Sequence, residues 1–135
     1  MAESSQMQWN LGGWLGGQLG GSAWMLVAGM LSFFENPIAA TTVIGLFAVA
    51  NLFGIMLWRR RERLSPYAAI QMLLPVLGVF GLAAVFVLDR AGVYETIQIG
   101  GTISARATYA AIVLIVTALM LIFYFRFGRR SKKKN

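Results

Sequence analysis

Residues 12–29 read GGWLGGQLGGSAWMLVAG. Glycines fall in adjacent pairs at Gly12/Gly13, Gly16/Gly17 and Gly20/Gly21, a strict four-residue rhythm. A helix turns about 100° per residue, so a four-residue step drifts only about 40° around its axis. With Gly12 set at zero, the six glycines cover one arc from about 0° to about 180°. Leu15, Gln18, Leu19, Ser22, Met25 and Leu26 crowd the opposite side. One half of such a helix is bare backbone, a doubled form of the small-residue rule for close helix approach in lipid. The spacing predicts a helix-packing interface over Gly12, Gly13, Gly16, Gly17, Gly20 and Gly21, between identical subunits or within one.

The rest of the chain supplies apolar helices to pack on. Of 135 residues, 58% are hydrophobic and the mean hydropathy is +0.67, too apolar for an ordinary soluble domain. The expectation is an all-α integral membrane protein with four transmembrane helices in a single membrane domain.

The first span, about 14–34, is the one that needs an argument. Its densely apolar part, Ala23 to Phe34, is too short to cross hydrocarbon, which takes about 20 residues. Crossing therefore requires the glycine pairs to lie inside the membrane. A flexible glycine linker before an interfacial helix is the other reading, but linkers need glycine content and no four-residue register. The second helix, about 37–58, opens on Asn36-Pro37, a capping side chain followed by proline at a position where its missing N–H costs nothing. Thr41 and Thr42 can bond back to their own helix. The third, about 66–88, repeats the device with Ser65-Pro66 and carries Gln71 and the helix-breaking Pro75. The fourth, about 105–125, has no ionisable group other than Tyr109 and Tyr124 after Arg106. Between the last two, Gly100-Gly101 divides short β-prone runs, and a glycine turn there would form a small extracytoplasmic hairpin pairing Glu95 with Arg106.

Charge sets the orientation. Arg59, Arg60, Arg61 and Arg63 follow the second helix, and the tail from Arg126 adds Arg129, Arg130, Lys132, Lys133 and Lys134. These ten of the twelve basic residues fall on one side if both ends are cytoplasmic, whereas the third connection holds only Arg90 and Arg106. The net charge of +7 is thus an orientation and lipid-surface signal, not a nucleic-acid groove. The N-terminus has no basic n-region or cleavage site and reads as retained. A cytoplasmic (inner) bacterial membrane is the expected location.

Chemistry is sparse. Cysteine and histidine are absent, and the five carboxylates Glu3, Glu35, Glu62, Asp89 and Glu95 are scattered singly. No catalytic, cofactor-binding or metal site is expected, and an enzyme is the least favoured class. Gln18, Asn51 and Gln71 are the intramembrane polar side chains, with interhelical bonding as their expected role. The functional expectation is a non-enzymatic subunit of a membrane assembly, or an oligomeric channel or pore, with lipid and identical or other membrane subunits as partners. The alternative is a small secondary transporter using Gln18, Asn51, Gln71 and the Pro75 break as an uncharged site. A proton-coupled carrier normally needs an embedded ionisable residue, and Glu35 is only marginally placed for that role.

Overall fold

Asn10, Asn36, Ser65 and Ser104 punctuate the chain, each accepting a backbone N–H three residues on, at 3.0–3.2 Å. They open the four long helices of the computed structural model, which describes residues 7–96 and 104–128. The helices are α1 Leu11–Ser32, α2 Pro37–Arg59, α3 Pro66–Arg90, the single turn α4 Val93–Thr96, and α5 Ala105–Phe123. A π-helical segment, Tyr124–Gly128, continues α5. Pro37 and Pro66 stand in the first turns, and α3 passes through Pro75 as one helix. Thr41 and Thr42 bond to the carbonyls four residues back.

The long helices run up and down. Along α1 and α2, Trp14 meets Gly54, Gln18 meets Asn51, and Gly29 meets Ala40 and Ile44, with Trp9 just before α1 against Trp58, so the two are antiparallel over their length. Gly21 lies against Leu77 and Trp24 against Gly81, which sets α3 parallel to α1. Gln71, Gly78 and Gly81 face Met120, Val116 and Ile112, and α5 therefore returns antiparallel to α3. The buried core collects Met25, Val43, Ala50, Leu57, Leu73, Ala84 and Leu88 from the first three long helices. No residue of α5 is fully buried.

Close approach is made by single glycines. A Cβ on Gly29 would stand 2.7 Å from Ile44 Cγ1 and 3.1 Å from the Ala40 carbonyl. On Gly78 it would meet Val116 at 3.2 Å, and on Gly81 Trp24 at 3.4 Å and Ile112 at 3.5 Å. Large exposed apolar side chains, among them Phe34, Ile38, Val79, Leu114 and Ile122, cover the outside. A solvent-facing surface of that kind would be costly in water and is ordinary in lipid.

Two expectations change. The hairpin does not stand, because Glu95 lies in α4 and Arg106 in the first turn of α5, whose N–H groups Ser104 caps. No strand occurs among the described residues, and the middle of the expected hairpin, 97–103, lies outside them. By length and apolarity, only α2, α3 and residues Ala105–Gly128 qualify as membrane spans among the described residues. Three such helices suggest an integral membrane protein. The fourth expected span, α1, lacks this support because paired glycines and Gln18 dilute its apolar character.

Candidate functional site

Four residues of α1 share one narrow face. Trp14, Gln18, Ser22 and Met25 lie between about 200° and about 280° on the helix wheel, opposite most of the glycine arc. All four are buried, Gln18 to 2% exposure. This face builds a polar clasp with α2.

Gln18 Nε2 donates to both the Asn51 carbonyl and Asn51 Oδ1, each at 2.9 Å. Asn51 Nδ2 donates to Ser22 Oγ at 3.0 Å and to the Phe47 carbonyl at 2.8 Å. Ser22 Oγ closes the ring by donating to the Gln18 carbonyl at 2.8 Å. One turn lower, Trp14 Nε1 donates to the Gly54 carbonyl at 3.1 Å. Gly54 is indispensable to the geometry, since the Gln18 carboxamide occupies the space its Cβ would take. Gln18 Oε1 is buried with no partner among the described residues. An unmatched buried acceptor costs about 1–3 kcal/mol, which the two bonds from Nε2 offset.

Below the clasp stands a tryptophan cluster. The Trp9 ring lies 5.0 Å from Trp14 and 5.4 Å, edge-on, from Trp58. Trp9 Nε1 donates to the Leu64 carbonyl at 3.1 Å, tying the segment before α1 to the α2–α3 turn. The Arg61 guanidinium lies over Trp58, 5.1 Å from its ring centre.

On the other side of α1 is an empty wedge. The helix touches α3 at Gly21 and Trp24, but no other residue reaches within 4 Å of a Cβ built on Gly17. The gap is a cavity of about 380 Å³, bounded by Gly13, Gly17, Trp14 and Gln18 on one side and by Ile70, Leu73, Leu74, Leu77, Leu119 and Phe123 on the other. Met7, Gln8, Trp9, Asn10 and Pro66 line its end toward the arginine turn.

The two glycine rows therefore differ. Gly13, Gly17 and Gly21, at about 100–180°, turn to the cavity and Leu77. Gly12, Gly16 and Gly20, at about 0–80°, are exposed on the outer surface. Gly16 and Gly20 have nothing within 4 Å of an added Cβ.

Of the three polar residues expected within the membrane, the fold unites Gln18 with Asn51 and keeps Gln71 apart. Gln71 Nε2 donates to the Met120 carbonyl at 3.1 Å across the α3–α5 contact. Arg59, Arg60, Arg61 and Arg63 are exposed at the α2–α3 turn, while Arg129, Arg130, Lys132, Lys133 and Lys134 lie outside the described residues. Glu35 is exposed in the α1–α2 turn. No cluster of carboxylates suited to a metal occurs among the described residues.

Sequence reasoning missed Ser22, Trp14, Gly54 and Trp9 as members of the site. A signal existed for the first two, since Trp14, Gln18 and Ser22 recur every four residues on one face. Trp9 carried no signal, because it sits in a polar segment whose docking onto Leu64 is a tertiary event. Comparison with protein-family models, curated proteins and solved structures gives no match to this chain.

Proposed function

We propose that the chain is a non-enzymatic four-span membrane protein, with both ends cytoplasmic, that works as a subunit of a membrane assembly or oligomeric pore. The location that suits its charge pattern is a bacterial inner membrane. Support for α1 as the fourth span comes from its partner. α2 is long and apolar enough to cross, and α1 lies antiparallel along it from Trp9/Trp58 to Gly29/Ala40. A helix bound at both ends of a span shares its depth. Its polar groups are turned inward to the clasp, and its lack of apolar side chains on the glycine side does not prevent insertion, because every helical backbone group is bonded internally.

The observation that carries the assembly reading is the outer row of Gly12, Gly16 and Gly20. The intramolecular packing leaves it unused, and its flat backbone suits another helix better than flexible acyl chains. The transporter alternative draws on the cavity beside Gln18, but the amide hydrogens of Gln18 and Asn51 are already spent within the clasp.

The chain has no cysteine, so single cysteines at Gly16 or Gly20 can be oxidised in native membranes. Disulfide-linked dimers are expected from both positions, and few from a control cysteine at Leu114 on the exposed side of α5. Equal crosslinking at all three would overturn the assembly reading.

A further inference from the structure

The cavity between α1, α3 and α5 belongs to a different face from the outer glycine row, and its surroundings specify an occupant. At about 380 Å³ it falls in the range of small-molecule sites, roughly 300–1,000 Å³. Its walls are the leucines, Ile70 and Phe123 of α3 and α5 against the bare backbone of Gly13 and Gly17. Such a space is filled by something apolar, slender and flexible.

Apart from Gln18, whose amide Nε2 is bonded to Asn51, the polar lining is confined to one end. Gln8 and Asn10 line the cavity there beside Trp9, and Trp9 leads through Trp58 to the Arg61 guanidinium. Arg59, Arg60 and Arg63 share that turn with Glu62 as its one acid, and Pro66, which follows directly, lines the cavity. Arg126 comes three residues after the lining residue Phe123 and lies over the Phe127 ring at 5.7 Å. An apolar slot with a cationic end matches one amphiphile class. We infer that the cavity holds an acyl chain of an anionic phospholipid whose phosphate rests at the arginine turn. This requires α1 at membrane depth but not the contact through Gly16 and Gly20.

An arginine near the bilayer surface is worth about a fivefold preference for anionic over neutral lipid. The test uses the full chain in phosphatidylcholine vesicles containing phosphatidylglycerol, with bromine on the acyl chains of one lipid at a time. Bromine quenches tryptophan at close range, and Trp9 and Trp14 line the cavity. A saturable quenching step is expected at about fivefold lower mole fraction for the brominated phosphatidylglycerol than for brominated phosphatidylcholine. Arg61→Gln should remove that preference, bringing the phosphatidylglycerol step to the mole fraction of the phosphatidylcholine step. Gly17→Leu should fill the slot and abolish the saturable step. If Gly17→Leu does not fold, Leu74→Phe adds bulk from the facing helix and should give the same loss. Equal quenching by the two lipids in the unaltered chain would refute headgroup selection. A saturable step that survives cavity filling would mean that the lipid binds elsewhere on the surface.

Discussion

At the scale of single residues, the molecule separates two uses of glycine that sequence alone runs together. Gly29, Gly54 and Gly78 stand where a methyl group would crowd a neighbouring helix, and Gly16 and Gly20 stand where it would meet nothing. Gly54 is the sharpest case, because its missing Cβ makes room for the Gln18 carboxamide. Gly54→Ala should therefore destabilise the fold by about 1–3 kcal/mol, the usual cost of overpacking, read as a lower SDS midpoint of unfolding. Gln18→Ala removes the obstructing group, so the double variant should lose less than the sum of the two single variants. Strictly additive losses would mean that Gly54 is needed for a reason other than Gln18. By contrast, Gly16→Ala meets no neighbour and should not destabilise the single chain.

At the scale of helices, the starts of α2 and α3 were legible because their signals are local. Asn36-Pro37 and Ser65-Pro66 fix a cap and a first turn within four residues. The apolar density of α2, α3 and α5 is likewise a local property. The face that α1 turns inward was not legible in that way. Its glycine rhythm dominates the sequence, yet the helix packs on α2 through Trp14, Gln18 and Ser22, whose partners lie 29–40 residues away. The hairpin expectation lacks support because both of its ends are helical, with Glu95 in α4 and Ser104 capping α5. The depth of α1 has a direct test. With single cysteines at Ser4, Gln98 and Ser131, only Gln98 should react with an impermeant reagent applied outside intact cells. Reaction at Ser4 would leave α1 on the surface and reduce the spans to three.

At the scale of the whole molecule, α3 is the hub, with α2, α5 and the upper part of α1 packed around it. What the fold withholds from its own core is as informative as what it buries. The outer glycine row and most of α5 remain exposed, and α5 offers bulky side chains that suit lipid, whereas the glycine row offers a groove. The central claim is that a second helix from another copy fills that groove. The most direct measurement is the native mass of the purified protein in mild detergent. It should be a multiple of the 14.8 kDa protomer for the unaltered chain, and it should fall to a single folded protomer in Gly16→Leu and Gly20→Leu. Leu114→Ala, on the exposed side of α5, should keep the parent mass. A single-protomer mass for the unaltered chain, or an unchanged multiple in both glycine variants, would contradict the account.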